Sequence, residues 1–312
     1  MNEATRRILT LCAIRVDGKS LDWSLIARAS RDGQLDELWE GHVPARETPQ
    51  ARSAATALLR AGLLSLDEPR ARVDAELDAG HRAGARLITV LDEDYPSNLR
   101  QVPDLPPFLF VLGQHQATDE RAVAVVGTRQ ATDTGLRRAS RLATELAQQG
   151  VTIASGLARG VDTAAHTAAL DAGGRTLAVI GTGITRCYPA ENKALAEQIT
   201  RHGSVISQFW PTRAPGRDTF PRRNRVTSGI SLGTAVIEAS STSGAKMQAR
   251  LASEHGKHVW LLASLVTAQP WAQKMIAHGR ARAVSTTADI LEDLSVPAAT
   301  APVAVQDTLD LS

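Results

Sequence analysis

The sequence predicts an α/β protein whose main domain is an open, doubly wound, mainly parallel sheet. From Arg121 onward, short apolar segments alternate with segments whose apolar residues recur at helical spacing. The apolar segments lack the polar alternation of a half-exposed strand, which is typical of strands buried on both faces of a parallel sheet. This repeated βα order implies right-handed crossovers, with helices on both sides of the sheet.

The composition excludes some classes of protein but does not identify the function. The chain has 312 residues and a net charge of only +2, so a polyanion site must come from local clusters of arginine. Cys12 and Cys187 fit no disulfide, metal or redox spacing, which favours a reducing compartment. No apolar run approaches the roughly 20 residues that a spanning helix needs. We therefore expect a cytoplasmic protein with no membrane contact, no metal and no cofactor.

Residues 1–84 are predicted to form a small helical N-terminal domain. They are rich in Ala, Leu and Arg, and apolar residues recur at helical spacing between Ala51 and Leu66. No residue of this domain carries evident chemistry. Residues 85–118 then predict a connector with lead-in strands at 86–91 and 108–113, separated by a turn and a proline-rich segment.

The main domain is predicted over residues 119–295. Its strands are expected at residues 122–126, 151–154, 176–180, 204–206, 234–238 and 258–262. Its helices are expected at about residues 136–147, 162–172, 190–200 and 246–255. The remaining residues, 296–312, are rich in Pro, Ala and Thr and are predicted to be a disordered tail.

Small and hydrogen-bonding residues follow several of the predicted strands or their connections. These turns are Gly127-Thr128-Arg129, Ser155-Gly156, Gly181-Thr182-Gly183 and Ser243-Gly244. The carboxyl ends of parallel strands meet at one edge of a sheet, where ligands bind, and glycine lets backbone N–H groups approach an anion. Any one of these turns could be ordinary loop chemistry, but together with Arg129 they favour an anionic ligand.

The segment Thr219–Val226 concentrates basic residues, and we interpret it as a loop that enters a helix. It contains Phe220, Arg222, Arg223, Asn224 and Arg225. Arginines at a helix N-terminus suit phosphate, because that end already presents free N–H groups and partial positive charge. A neighbouring aromatic ring can stack on a base. An isolated run of this kind could equally be a solvated basic turn.

Two nucleotide-binding motifs are absent, since the first βα turn lacks Gly-x-Gly-x-x-Gly and no Walker A sequence occurs. His166 has no neighbouring nucleophile or metal-type partner, so we predict a packed histidine. Glu238 is the one carboxylate placed like a catalytic group, at the end of a predicted strand.

In order and spacing, the chain from about Leu87 to Gly279 resembles the DprA/Smf family of DNA-processing proteins. The motifs that carry the likeness are Gly127-Thr128-Arg129, Ser155-Gly156-Leu157-Ala158-Arg159-Gly160-Val161-Asp162, Ala178-Val179-Ile180-Gly181-Thr182-Gly183, Tyr188-Pro189, Phe220-Pro221-Arg222-Arg223-Asn224-Arg225, Ser228-Gly229-Ile230-Ser231 and Val236-Ile237-Glu238-Ala239. The resemblance implies an extended Rossmann-like domain, a homodimer and no enzymatic activity. It also implies binding to single-stranded DNA and loading of a RecA-type recombinase onto it in natural transformation.

The resemblance also implies a set of DNA-binding residues. Arg129 and Arg217 would neutralise phosphate, Phe220 would stack on a base, and Asn224 would orient its loop. The full predicted set is Gly127, Arg129, Ser155, Gly156, Arg159, Arg217, Phe220, Arg222, Arg223, Asn224, Arg225, Ser243, Gly244 and Lys246.

The chain departs from the family pattern in several places. Gln208 stands where the family usually has Glu, residues 245–248 replace a run of small residues, and the Pro-Gly loop expected after residue 262 is missing. No winged-helix domain is expected after the main domain. These departures keep a second hypothesis open, a nucleotide-binding or LOG-like nucleotide-processing protein, because residues 233–238 are similar to part of that group's Gly-Thr-x-x-Glu motif.

Overall fold

The computed structural model describes residues 1–45 and 47–295. The predicted disordered tail, residues 296–312, lies outside the described residues, and the expected lack of a winged-helix domain also remains a prediction. Within the described residues, no helix is both long and apolar enough to cross a membrane.

One sheet of nine strands organises the described part of the chain, in the order β1-β2-β6-β5-β4-β3-β7-β8-β9. The strands are β1 (Arg86–Thr89), β2 (Phe108–Gly113), β3 (Ala122–Val126), β4 (Thr152–Ser155), β5 (Thr176–Val179), β6 (Ser204–Ser207), β7 (Gly233–Val236), β8 (His258–Leu262) and β9 (Arg282–Val284). The β1–β2 and β2–β6 pairs are antiparallel and the other six pairs are parallel. The predicted α/β class and mainly parallel sheet are thus confirmed.

Helices precede the sheet and alternate with its strands. They are α1 (Glu3–Ala13), α2 (Trp23–Arg31), α3 (Leu35–Trp39), α4 (Pro49–Gly62), α5 (Asp67–Arg82), α6 (Ser97–Arg100), α7 (Asp133–Gln148), α8 (Val161–Asp171), α9 (Lys193–His202), α10 (Thr219–Ile230), α11 (Gly244–Glu254), α12 (Ala263–Ala268), α13 (Pro270–Ala277) and α14 (Thr287–Ser295). The N-terminal helical region is therefore present. The division of the chain into domains at residues 84 and 118 remains a prediction.

The central strands form because their side chains are apolar on both faces. All five residues of β3 are buried between the helices that cover the sheet. The next helix, α7, begins where the Thr132 hydroxyl accepts a hydrogen bond from the backbone N–H of Gly135. It turns Ala139, Leu142 and Leu146 towards the sheet.

An aromatic cluster joins the N-terminal helices to the antiparallel side of the sheet. The ring centroids of Trp23 and Phe108 lie 5.0 Å apart, and those of Phe108 and Trp210 lie 4.8 Å apart. Such contacts contribute about 0.5–1.5 kcal/mol per pair beyond the burial of their area. The helices of residues 3–82 therefore pack on the sheet through Trp23 and rest beside the segment that leads into α10.

The basic segment Thr219–Val226 is not a loop, and that interpretation was wrong. It forms the first turns of α10, which runs to Ile230. Pro221 is tolerated there because it is the third residue of the helix, where a backbone N–H has no intrahelical acceptor. Because the segment is helical and successive residues point about 100° apart, Arg222 and Arg225 share one side of α10 while Arg223 points to another.

A buried carboxylate, Asp119, secures the start of β3 and the neighbouring strands. It accepts two hydrogen bonds of 2.9 Å from Arg175, one from the Gln116 backbone and one from Thr152, and His115 lies 3.2 Å away. Burial alone would raise the pKa of Asp119, but His115 and Arg175 outweigh it and hold the pKa well below its usual range. Asp119 therefore stabilises the fold as an anion.

We expect Asp119→Asn to lower the free energy of unfolding by about 2 kcal/mol at pH 7, because hydrogen bonds to a buried charge are lost. A depressed pKa contributes stability above the unfolded value near 3.9, and that contribution is lost as pH falls through the folded value. Urea unfolding from pH 7 to pH 2 should show a constant difference above about pH 5 that shrinks below pH 4. A difference that does not change with pH would contradict this role of the charge.

Candidate nucleic-acid interface

A cavity of about 450 Å³ opens at the carboxyl edge of the parallel strands. Four connections supply its walls: the turn after β3, the turn after β4, helix α10 and the start of α11. The lining residues are Val126, Gly127, Thr128, Arg129, Gln130, Gly156, Ala158, Arg159, Asp162, Phe220, Arg223, Asn224, Thr227, Ser240, Ser243, Gly244, Ala245 and Gln248. Three of the four predicted turns therefore line this cavity with residues of the basic segment, whereas the Gly181-Thr182-Gly183 turn does not line it.

Arg223 forms the inner wall of this cavity and is 7% exposed. Its guanidinium donates to the carbonyl oxygens of Gly156, at 2.5 Å, and Val179, at 2.9 Å. A side chain at Gly156 would overlap this guanidinium. Gly156 is therefore required for the close approach of Arg223, rather than for the approach of a ligand.

Asp162, in the first turn of α8, is the buried carboxylate of the same wall. One of its oxygens accepts from the backbone N–H groups of Gly156, at 3.1 Å, and Ala158, at 3.3 Å. Burial raises the pKa of Asp162, and Arg223 and the two N–H donors oppose that shift. Burial lowers the pKa of Arg223, and the negative charge of Asp162 opposes that shift. The two side chains thus compensate each other's charge inside the protein.

Phe220 and Arg129 form the outer wall. The Phe220 ring packs against Gly181, where a Cβ atom would come within 2.8 Å of the ring. The Tyr188 ring lies 5.8 Å from that of Phe220, and the guanidinium carbon of Arg129 lies 5.2 Å from the Phe220 centroid. Arg129 is exposed, and within residues 1–45 and 47–295 no carboxylate lies within ion-pair distance of it. An exposed cation beside a half-buried ring suits phosphate and base together.

The start of α11 closes the opposite side. The Ser243 hydroxyl accepts from the Ala245 N–H at 3.2 Å, and the Asn224 amide donates to the Gly244 carbonyl at 3.5 Å. Asn224 therefore links α10 to α11, and its role in orienting the segment remains a prediction. The helix N-terminus adds partial positive charge to the cavity.

Nine of the predicted site residues line the cavity and five do not. Those that line it are Gly127, Arg129, Gly156, Arg159, Phe220, Arg223, Asn224, Ser243 and Gly244. Arg159 is held at the rim by an exposed ion pair with Glu191, whose closest atoms are 2.5 Å apart. For all fourteen residues, a part in DNA binding remains a prediction.

The five others lie elsewhere. Ser155 is buried and donates to the Val125 carbonyl at 2.7 Å, inside the sheet. Arg217 is exposed just before α10. Arg222 and Arg225 point away from the cavity towards the N-terminal helices, where Arg222 packs on Trp23 and Arg225 pairs with Asp104. Lys246 lines an adjoining groove and donates to the Ser241 carbonyl.

Sequence reasoning gave no role to Asp162, Thr227 or Gln248, which also line the cavity. A signal existed for Asp162, because it stands six residues after Gly156 at the start of a predicted helix, where a carboxylate can accept backbone N–H groups. Gln248 and Thr227 gave no such signal, since only the packing of α10 on α11 brings them together.

Two residues weighed as catalytic candidates have structural partners. The Glu238 carboxylate accepts from the backbone and hydroxyl of Thr132, at 3.2 and 3.0 Å, and does not line the cavity. His166 is fully buried against the Thr176 hydroxyl at 2.7 Å, as a packed histidine would be. Burial, with Arg223 nearby, lowers the pKa of His166 to about 3.

Comparison with known proteins places this fold and cavity in a family. The family model for DNA recombination-mediator protein A matches residues 86–295. Protein Smf of Synechocystis is 35% identical over 219 residues, and DNA processing protein DprA of Bacillus subtilis is 34% identical over 222 residues. These alignments cover 69% and 70% of this chain, and 54% and 74% of the relatives.

Solved structures agree with the sequence relatives. DprA of Streptococcus pneumoniae has a TM-score of 0.73 and 27% identity, with 94% of this chain and 98% of that chain covered. DprA of Helicobacter pylori, whose structure is described as revealing a single-stranded DNA binding mode, has a TM-score of 0.60 and 26% identity, with 68% and 97% covered. The chain spans about half the length of the Smf proteins of Synechocystis and Escherichia coli, 54% and 55%.

The fold and site define a doubly wound α/β protein with a cavity, at the carboxyl edge of the sheet, that carries an exposed arginine and an aromatic ring. Within that class, the chain belongs to the DNA recombination-mediator protein A family, which includes the DprA and Smf proteins. The resemblance inferred from the sequence motifs is confirmed.

Proposed function

We propose that this protein binds single-stranded DNA in the cavity between the β3 turn, α10 and α11, and acts there as a recombination mediator. The observation that carries the proposal is the position of Arg129, 5.2 Å over the Phe220 ring at the cavity mouth. Binding of single strands without sequence choice needs a positive groove and a stacking platform. Arg129 supplies the positive charge and Phe220 the stacking surface, close enough together for one nucleotide to contact both.

The dimensions and charge of the site support this proposal. A volume of about 450 Å³ suits a nucleotide rather than a duplex. Since the net charge of the chain is only +2, we expect affinity to come from Arg129 at the cavity and from Arg217, which is exposed just before α10. Neither of these two has a carboxylate within ion-pair distance among the described residues.

The cellular role follows as part of the same proposal. The protein would protect incoming DNA and load a RecA-type recombinase onto it during natural transformation, in the cytoplasm and without catalysing a reaction. We further propose a homodimer. The apolar groove beside α11 supports an association surface, because Met247 is 37% exposed there next to Trp271 and Met275.

Removal of either predicted phosphate contact should weaken DNA binding and its salt dependence. We expect Arg129→Gln and Arg217→Gln each to lower the affinity for oligo-dT about fivefold to tenfold, and to reduce the slope of log K against log salt by about 0.7. The measurement is fluorescence anisotropy of labelled single-stranded and duplex oligonucleotides at several salt concentrations.

Arg60→Gln is the matched control, because it removes the same charge from the exposed face of α4. It should leave both affinity and slope unchanged. The proposal is wrong if both variants of the site retain the wild-type affinity and slope, or if the wild-type protein binds duplex as tightly as single strands.

A further inference from the structure

The opposite face of α10 borders a second, polar cavity of about 320 Å³, between the N-terminal helices and the sheet. Three arginines, Arg15, Arg222 and Arg225, line it together with Gln208. It is separate from the DNA cavity, since no residue lines both. We propose that this second cavity binds a phosphate dianion, either free or as the terminal phosphate of a small molecule.

The carboxylates that line this cavity form no ion pair with two of its arginines. Asp104 pairs with Arg225, at 3.3 Å, and with His255, at 2.8 Å. Asp22 caps α2, where it accepts from the backbone and hydroxyl of Ser24. Among the described residues, no carboxylate lies within ion-pair distance of Arg15 or Arg222.

Arg222 is fixed in place as a preformed donor. Its guanidinium carbon lies 4.8 Å from the Trp23 centroid and 5.3 Å from that of Phe209, so two aromatic rings hold it. Burial lowers the pKa of Arg222, Asp218 and Asp22 oppose that shift, and the nearby arginines Arg213 and Arg225 add to it. A dianion in the cavity would relieve this repulsion between like charges.

Arg15 adds a second donor from the end of α1. One of its nitrogens donates to the backbone carbonyls of Cys12 and Ile14, at 3.2 and 2.8 Å, which holds the side chain at the cavity. Burial lowers the pKa of Arg15, and Arg72 and Arg222 add to that effect. Two planar guanidinium groups at one small cavity are suited to the oxygens of phosphate.

Gln208, independently of the arginines, presents a buried hydrogen-bond donor that has no acceptor among the described residues. It is 5% exposed, and within residues 1–45 and 47–295 its amide nitrogen has no hydrogen-bond partner. A buried donor without an acceptor is costly and rare. A phosphate oxygen would satisfy it. The small volume and the rings already packed on Arg222 leave no room for a stacked base, so the ligand is a small phosphate and not a nucleic-acid strand.

The test compares the wild-type protein with Gln208→Glu, which keeps the shape of the side chain but adds a negative charge. The probe is inorganic phosphate, with sodium chloride at equal ionic strength as reference. Phosphate should raise the Tm of the wild type by a few degrees. Gln208→Glu should fold with an unchanged or higher Tm, because the new carboxylate faces the arginines, and should bind phosphate at least about tenfold more weakly.

Two further arms complete the experiment. Arg129→Gln, which alters only the DNA cavity, should keep the full phosphate response, so that this inference and the proposed function can fail separately. Glycerol phosphate compared with glycerol, a pair that carries no base, tests whether a phosphate ester binds as free phosphate does. A phosphate response no larger than that of chloride, or one that Gln208→Glu retains, would overturn the proposal.

Discussion

Arg223→Met is expected to lower the free energy of unfolding by about 3 kcal/mol, because two buried carbonyl oxygens lose a charged donor and the Asp162 carboxylate loses a nearby positive charge. The two carbonyl oxygens are those of Gly156 and Val179. Methionine keeps most of the volume, so the loss is electrostatic rather than a cavity effect. Urea unfolding followed by circular dichroism measures it.

The neighbouring residue supplies the control. Arg222→Met, on the opposite face of α10, loses contacts with two aromatic rings and should cost about 1 kcal/mol. Equal losses for the two substitutions would show that Arg223 acts only through packing.

Two additional measurements isolate the charge. In the Arg223→Met background, Asp162→Asn should recover at least about 1 kcal/mol, because the amide oxygen can still accept from the two backbone N–H groups. The pKa of Asp162 is already raised by burial and rises further without Arg223. A carboxyl whose pKa is raised in the folded state destabilises that state at pH values above the raised pKa. The destabilisation disappears below the pKa of the unfolded state, near 3.9. The difference in unfolding free energy between the wild type and Arg223→Met should therefore shrink on acidification.

The sheet was predictable because its strands carry their own signal. β3 and residues 259–262 of β8 are continuous apolar runs, as is typical of strands buried on both faces. By contrast, β9 has two exposed residues out of three, and the helices between residues 263 and 295 are short. Sequence patterns therefore predict no elements after residue 262, where the structure has four.

The location of the candidate site could also be predicted, but the roles of its residues could not. Parallel strands must end at one edge, which brings Gly127, Gly156 and Arg129 together. However, the spacing does not reveal that Gly156 makes room for Arg223 and Gly181 for Phe220. Those contacts depend on how α10 is rotated about its axis. Because the segment was interpreted as a loop, the sequence gives no direction for its side chains.

The rotation of α10 also separates arginines that are adjacent in sequence. Arg223 lines the cavity proposed to bind DNA and Arg222 lines the second cavity, so one helix contributes to two separate cavities. An arginine count for the segment therefore overstates the charge available to DNA. Of the three arginines in α10, one lines the DNA cavity, and its guanidinium is engaged by backbone carbonyls.

With so little arginine available, stacking on Phe220 should dominate the affinity for single-stranded DNA. We expect Phe220→Ala to weaken oligo-dT binding between about 5-fold and 150-fold, the range that corresponds to 1–3 kcal/mol for one base on one aromatic ring. The salt slope should stay at the wild-type value, since no phosphate contact is removed. Anisotropy titrations at several salt concentrations separate this result from that of Arg129→Gln.

The matched variant is Phe220→Leu, which retains apolar contact with Gly181 but has no aromatic face for a base or for Arg129. If stacking is the contribution of Phe220, leucine should bind DNA nearly as weakly as alanine while unfolding at nearly the wild-type temperature. If the ring serves only to fill space beside Gly181 and Tyr188, leucine should restore binding, and the stacking role would have to be abandoned. Tyr188→Ala tests the support of the ring, and should weaken binding less than Phe220→Ala because Tyr188 does not line the cavity.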